Sequence, residues 1–177
     1  SIADAGKIDP ESEPFKKAEA DVKEKIDRML SIKGNTSPRA LHIELGKIML
    51  DKCGMARNEA GLKEAIGKIK ELRERFWSDL KLPGGNDEIN IELERAGRVA
   101  DHLEFAELMC RDALDRDESC GGHFREEHQT QDGEAVRDDE NYATATVWEF
   151  KGLDEEPAKH VEHLSFENVH LGVRSYK

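Results

Sequence analysis

The stretch Asp87–Arg116, DEINIELERAGRVADHLEFAELMCRDALDR, determines the fold more than any other part of this sequence. Its apolar residues recur every three or four positions, as the residues on one face of an α-helix do. These apolar positions are Leu93, Ala96, Ala100, Leu103, Cys110 and Leu114. Glu107 is a polar interruption of the pattern. The pattern predicts that the longest helix of the chain opens at Asp87, and its alanines would let partner helices approach closely.

Three further apolar stripes with helical spacing precede this stretch. The first begins at Phe15, and the second and third follow Ser37 and Asn58. Serine and asparagine are favoured just before a helix, because their side chains accept hydrogen bonds from its first free backbone amides. The second stripe stops near Gly54, and the third is broken by Pro83-Gly84-Gly85. The stripes and their borders predict three more helices.

The connections between the predicted helices are short, which favours antiparallel neighbours. We therefore predict a mainly α fold: an antiparallel three-helix bundle, similar to a spectrin repeat, with an extra short helix. Residues 15–116 would form this bundle. Residues 1–14 contain Gly6, Pro10 and Pro14 and show little periodicity. They would form an N-terminal arm or linker to an earlier part of the protein.

The sequence changes character after Arg116. Residues 142–150 (YATATVWEF) are rich in strand-forming residues, and alternate positions would share one face. A turn-like break follows at Gly152–Pro157, and His163–Val173 offers a second extended stretch. We predict a small C-terminal β-hairpin. Because a lone hairpin is marginally stable in water, residues 117–177 would be a loop and hairpin appendage packed on the bundle.

The composition limits the classes of partner. The chain has 177 residues, of which 37% are hydrophobic and 37% charged, and its net charge is -12. Nucleic-acid binding needs clustered lysine and arginine to neutralise phosphates, so we expect no nucleic-acid partner. No apolar run approaches the roughly 20 residues that a membrane-spanning helix needs.

The residues that could carry catalysis or bind a metal are not arranged for either task. Cys53, Cys110 and Cys120 lack metal-type spacing and are expected to be reduced thiols. His123 and His128 are five residues apart, whereas a helical zinc motif places two histidines four apart. Cys120 and His123 have no recognisable oxyanion hole or third orienting residue nearby. We therefore assign no catalytic, cofactor-binding or metal-binding residue to this chain.

A segment between the last long helix and the hairpin concentrates glycine, histidine and charged residues. This composition suits a surface that contacts another domain. The charged residues could be ordinary solvated side chains, or they could form a buried ion-pair network at an interdomain seam, and the residue types do not decide between the two. The interdomain-interface candidates are Glu118, Ser119, Cys120, Gly121, Gly122, His123, Arg125, Arg137 and Asp138.

Four stretches together resemble one protein family. They are Cys53–Asn58 (CGMARN), Glu118–Glu126 (ESCGGHFRE), Arg137–Asn141 (RDDEN) and Arg174–Lys177 (RSYK). Their order and spacing resemble the C-terminal domain of the flavoprotein subunits of succinate dehydrogenases and fumarate reductases, from about Thr36 onward. In many members the second stretch reads Glu-Ser-Arg-Gly-Ala-His-x-Arg.

Two positions depart from that common motif. Cys120 stands in place of the arginine, and Gly122 stands in place of the alanine. This variant resembles the branch of the family whose flavoproteins pair with a dihaem membrane anchor. The change removes a cation, so an ion pair made by that arginine elsewhere in the family is not expected here.

The resemblance implies a non-catalytic domain that packs on the flavin domain of a longer subunit. That subunit would interconvert succinate and fumarate through covalent FAD, which this chain itself would not hold. Its flavin and capping domains would lie upstream. An iron-sulfur subunit and a membrane anchor would complete the complex on the cytoplasmic side of the inner membrane, and the present chain would itself be soluble.

Two alternatives stay open. The chain could be the equivalent domain of an L-aspartate oxidase or a related flavoprotein, or it could be a free-standing acidic helical adaptor. The Arg137–Asn141 stretch and the C-terminal hairpin favour the dehydrogenase and reductase family over the oxidase. The loosely patterned N-terminal arm and the marginal hairpin disfavour the adaptor.

Overall fold

The computed structural model describes residues 9–152, 155–170 and 172. The helices are α1 (Glu13–Ser31), α2 (Pro38–Lys52), α3 (Glu59–Asp79), α4 (Ile91–Asp115) and the short α5 (Asp139–Tyr142). The strands are β1 (Thr144–Glu149) and β2 (Ala158–His163). None of the described helices combines the length and the hydropathy that a membrane-spanning helix needs. The domain boundaries proposed at residues 14 and 116 stay predictions.

Helices α2, α3 and α4 pack around one hydrophobic core, which confirms the predicted fold class. Ion pairs show the antiparallel order of α2 and α3, because Lys52 contacts Glu64 whereas Glu44 contacts Arg75. Burial of the apolar faces is the main favourable contribution to such a bundle. The core includes Leu41, Leu45, Leu62, Ile69, Phe76, Ala96, Leu103 and Cys110.

Side-chain caps begin α2 and α3 at the positions that the sequence predicts. The Ser37 hydroxyl accepts a hydrogen bond from the Ala40 amide at 3.2 Å. The Asn58 side-chain oxygen accepts one from the Gly61 amide at 2.7 Å. These bonds satisfy backbone donors that a helix start otherwise leaves free.

The prediction that α4 opens at Asp87 is wrong, because the helix begins after Asn90. The Asn90 side chain accepts a hydrogen bond from the Leu93 amide at 3.0 Å. Its amide nitrogen donates to the carbonyls of Pro83 and Gly85, each at 2.9 Å. One side chain therefore closes the preceding loop and starts the helix.

Helix α1 lies on the outside of the bundle. In the described structure, Met29 is its buried residue, whereas Phe15 and Val22 of the predicted apolar stripe are exposed. Lys25 forms an ion pair with Asp101 of α4 at 2.8 Å. The stripe therefore predicts the helix correctly, but the described part of the chain leaves much of that stripe uncovered.

Strands β1 and β2 form the predicted antiparallel hairpin, with Thr144 opposite His163 at one end. The indole nitrogen of Trp148 donates a hydrogen bond to the Asp112 carboxylate at 2.7 Å. This bond fastens β1 to α4, so the hairpin packs on the bundle.

The prediction of a second strand at His163–Val173 is wrong, because β2 lies almost wholly before that stretch. The Leu164 amide donates to the Ala143 carbonyl at 2.9 Å, and this bond closes the ladder. The length of the strand is thus set by its partner rather than by its own apolar residues. Two apolar positions of the predicted strand, Leu171 and Val173, lie outside the described residues.

A candidate interdomain segment after helix α4

The segment 116–138 folds back onto the connection between α2 and α3. The Arg57 amide donates to the Phe124 carbonyl at 3.0 Å, and the Glu126 amide donates to the Arg57 carbonyl at 2.8 Å. The Asn58 side chain adds a hydrogen bond to the Glu126 carboxylate at 2.6 Å. The CGMARN and ESCGGHFRE stretches, distant in sequence, are therefore neighbours in the structure.

Arg125 is the centre of this segment and is 2% exposed. Its Nη1 donates to the carbonyls of Ala113 and Leu114, at 3.2 and 3.4 Å. Its guanidinium also contacts the carboxylates of Asp117 at 3.3 Å and Glu127 at 3.2 Å. Arg125 thus satisfies carbonyls at the C-terminal end of α4, where a cation is favoured. The contacts of this chain suffice to bury it.

Glu118 and Ser119 are also buried by this chain. The Ser119 hydroxyl donates to the Arg125 carbonyl at 3.1 Å and accepts from the Arg125 amide at 2.8 Å. The Glu118 carboxylate accepts from the Arg116 side chain at 2.9 Å and from the Asp138 amide at 2.8 Å. Glu118, Ser119 and Arg125 therefore form an inner network that holds the loop in place.

His123 is half-buried with a hydrogen bond on each ring nitrogen. Its Nδ1 lies 2.9 Å from Arg57 Nη1, and its Nε2 lies 2.8 Å from the Arg116 carbonyl. Arginine can only donate and a carbonyl can only accept, so the proton is on Nε2. Burial lowers the pKa of His123, and the nearby charges of Arg57, Arg125 and Arg116 lower it further. His123 is therefore a neutral structural bridge, with neither nitrogen free to act as a base toward Cys120.

The outer part of the segment is a tight turn. Cys120 and His123 exchange backbone hydrogen bonds of 2.8 and 3.0 Å across Gly121 and Gly122, both of which are exposed. Gly121 has a φ of +60°, a region that favours glycine. A Cβ on Gly122 would meet nothing within 4 Å, so the space beside it is open. The partly exposed Cys120 is a free thiol.

Arg137 and Asp138 serve the next element. Arg137 pairs with Asp139 and donates to the Gly172 carbonyl at 3.0 Å. Asp138 caps α5 through the Asn141 amide at 3.2 Å. Hydrogen bonds from Asn141 lower the pKa of Asp138. Asp138 also borders the inner network, because its amide donates to the Glu118 carboxylate.

Sequence reasoning missed two arginines that organise the segment, Arg57 and Arg116. Arg57 lies within the quoted CGMARN stretch, and the joint resemblance of that stretch and ESCGGHFRE was the signal that they meet. Arg116 also donates to the Tyr142 carbonyl at 2.7 Å, and its guanidinium lies 5.7 Å from the Tyr142 ring centroid. Nothing in the local pattern around Arg116 indicates this contact.

Comparison with known proteins identifies the family. Residues 42–176 match the family described as fumarate reductase flavoprotein C-term. A fumarate reductase flavoprotein subunit of Haemophilus influenzae is 28% identical over 127 residues, covering 72% of this chain and 20% of that protein. An uncharacterized FAD-dependent oxidoreductase of Methanocaldococcus jannaschii is 36% identical over 110 residues, covering 62% of this chain and 19% of that protein.

A solved structure has the same fold. A quinol-fumarate reductase with menaquinol molecules superposes with a TM-score of 0.77 at 24% identity, covering 95% of this chain and 28% of that chain. The present chain spans about a fifth of the length of the two curated relatives. Because the family match covers more than half of the chain, this chain belongs to the family of fumarate reductase flavoprotein C-terminal domains.

Proposed function

We propose that this chain is a non-catalytic docking domain of a flavoprotein subunit that interconverts fumarate and succinate through FAD. In this proposal the domain packs on the flavin domain, and the turn at Cys120–His123 faces the seam. The observation that carries the proposal is the division of the segment into two layers. Glu118, Ser119 and Arg125 are fixed from within, whereas Gly121 and Gly122 are exposed.

An exposed turn on a rigid support suits docking, because little conformational freedom is lost when a partner binds. Glycine lets another backbone approach closely. The interface candidates thereby separate into two roles. The inner residues and His123 hold the shape of the turn, while the glycines and Cys120 supply the surface that would contact the flavin domain. Arg137 and Asp138 would connect this surface to α5.

The Gly121–Gly122 pair does not fit the phosphates of FAD. Dinucleotide sites place a glycine-rich turn before the N-terminal end of a helix, where backbone amides favour phosphate. Here Gly121 and Gly122 follow the C-terminal end of α4, which carries partial negative charge and is already occupied by Arg125. We therefore propose that the flavin and its covalent attachment lie in the upstream part of the subunit.

The partners follow from the same proposal. The upstream flavin and capping domains would contact this chain directly. An iron-sulfur subunit and a dihaem membrane anchor would pass electrons between the flavin and quinone on the cytoplasmic side of the inner membrane. The similarity to a quinol-fumarate reductase solved with menaquinol molecules supports this class of complex. The corresponding domain of an L-aspartate oxidase is the alternative.

The test compares the full-length subunit with the 177-residue chain. The full-length subunit should reduce fumarate with a reduced viologen dye and should fluoresce on a denaturing gel because its flavin is covalent. The 177-residue chain should do neither. Fumarate reduction by the chain alone would contradict its non-catalytic role. A full-length subunit that oxidises L-aspartate but not succinate would favour the alternative.

A further inference from the structure

A groove with an apolar floor lies between α4 and the residues at the end of β1. Its cavity has a volume of about 350 Å³. Phe105 is 62% exposed and Phe150 is 70% exposed, although both have large aromatic rings. Clustered exposed apolar side chains of this kind mark interaction surfaces. The apolar residues of the floor are Phe105, Leu108, Trp148, Phe150 and Pro157.

The arginines at the rim of this groove already have partners. Arg73 contacts Glu104 at 3.0 Å and Glu107 at 2.7 Å. Arg111 contacts Glu107 at 2.8 Å and also pairs with Glu156. Because these cations are neutralised within the chain, the groove offers no strong attraction to an anion. Two further charged residues of the lining are also paired, Asp101 with Lys25 and Lys151 with Glu149. The apolar floor therefore favours an uncharged apolar occupant.

The groove is also held open by fixed contacts. The Trp148 indole is oriented by its hydrogen bond to Asp112 at 2.7 Å. The pairing of Arg111 with Glu156 holds the residues after β1 against α4. An occupant therefore meets a Trp148 ring that is already oriented, which lowers the entropy lost on binding.

The groove continues toward α1. A second cavity of about 310 Å³ is lined by Asp21 and Lys25 of α1. Asp101 and Glu104 of α4 line both cavities. The two cavities are therefore adjacent along α4, and the partly uncovered helix α1 borders the second.

The direction of α1 brings its start toward the groove. Lys25 pairs with Asp101, in the first half of α4. Further along the chain, Lys33 pairs through its backbone with Lys81, in the connection that precedes α4. Helix α1 therefore runs antiparallel to α4, and its start points toward the half of α4 that carries Phe105. A polypeptide that precedes α1 would emerge on this side.

We propose that this groove receives an apolar, uncharged segment from the upstream part of the same subunit. This inference rests on the proposed function. The family comprises the C-terminal domains of flavoprotein subunits, and the match spans about a fifth of the length of the curated relatives. With 95% of its length matched, the chain covers 28% of the quinol-fumarate reductase chain, so most of such a subunit would precede α1. The groove would then be a docking surface additional to the turn at Cys120–His123.

Hydroxyl-radical footprinting with mass spectrometry tests the occupant. The full-length subunit and the 177-residue chain are labelled under the same conditions, and oxidation is compared at Phe105 and Phe150. We expect oxidation of both to be several-fold slower in the full-length subunit. Leu50, which is exposed on α2, serves as the control and should react alike in both proteins.

A matched pair of variants tests the energy of docking. In the full-length subunit, Phe105→Ser should speed proteolytic release of the C-terminal domain by about tenfold, the effect of losing one apolar anchor. Leu50→Ser should leave the rate unchanged. Both residues lie on exposed helix surfaces, so neither change should unfold the domain.

Three outcomes would overturn the inference. Equal oxidation of Phe105 in the two proteins would show that the groove stays open. Protection in the 177-residue chain that rises with its concentration would assign the groove to a second copy. If Phe105 is protected in the 177-residue chain and that protection is lost when residues 1–8 are removed, the groove is occupied by the start of this chain. If the full-length subunit binds no flavin but still protects Phe105, the proposed function is wrong and this inference stands.

Discussion

The bundle core and the segment after α4 are both buried, but they are held together by different interactions. The core is an apolar seam between three helices, whereas the segment is built from Arg125, Glu118, Ser119 and their hydrogen bonds. Apolar burial is non-directional and tolerates a range of side chains. A buried polar network depends on each partner being present. A substitution in the core should therefore destabilise the whole bundle, whereas a substitution in the segment should open only the segment.

The largest effect should come from the core. Phe76 is fully buried in α3, so Phe76→Ala should lower the free energy of unfolding by about 3–5 kcal/mol, through lost burial and the cavity left behind. Urea unfolding followed by circular dichroism measures this loss. Leu50→Ala, at an exposed helical position, is the control and should change the value little. A small loss for Phe76→Ala would mean that the bundle core is not a tight unit.

The next effect should come from the inner network. Arg125→Met keeps an unbranched side chain but removes the donors to the Ala113 and Leu114 carbonyls, and should cost about 2–3 kcal/mol. Hydrogen exchange should rise mainly in residues 117–128. Arg137→Met is the control, because its ion pair with Asp139 is near the surface and such pairs contribute about 1 kcal/mol or less. Equal exchange in the two variants would contradict the central role of Arg125.

A smaller effect should come from the cap of α4. Asn90→Ala removes the bond to the Leu93 amide and should cost about 1 kcal/mol, the usual contribution of a helix cap. The thermal unfolding midpoint measures the change. Asn86→Ala, in the same loop, is the control. If both variants unfold alike, Asn90 does not set the start of the helix.

The smallest effect should be a dependence on pH. His123 has a lowered pKa in the folded chain, so the unfolded state binds more protons as the pH falls. The contribution of His123 to the free energy of unfolding is fully present above the ordinary histidine pKa of about 6.5. It is lost as the pH falls through the folded value. Urea midpoints at pH 7.5 and pH 5 should differ less in His123→Gln than in the unchanged chain. If the two proteins show the same difference in urea midpoint between pH 7.5 and pH 5, His123 is not the source of the pH dependence.

The bundle was predictable because its signals are local. The stripes and the caps at Ser37 and Asn58 follow directly from residue spacing and side-chain chemistry. The start of α4 was not predictable in this way, since the Asn90 side chain bonds backward to Pro83 and Gly85 as well as forward to Leu93. The extent of β2 likewise depends on its partner strand.

The sequence predicted where the candidate segment lies, but it did not predict which of its residues are buried and which are exposed. Its composition suggested either solvated charges or a buried network, and both occur. Arg125 is buried, whereas the charge of Arg137 lies nearer the surface. This difference in burial arises because the segment folds back onto the end of α4 and onto Arg57. Contacts that far apart in sequence leave no periodic signal.

The measurement that tests the central claim most directly is the flavin content of the full-length subunit carrying Gly122→Trp. The 177-residue chain should tolerate this change, because the space beside Gly122 is open. Gly85→Trp, at a loop glycine before α4 with equally open space, is the matched control. We predict that Gly122→Trp weakens domain docking and lowers FAD content, whereas Gly85→Trp does not. Unchanged flavin content and activity in the Gly122→Trp subunit would contradict the claim that this turn faces the flavin domain.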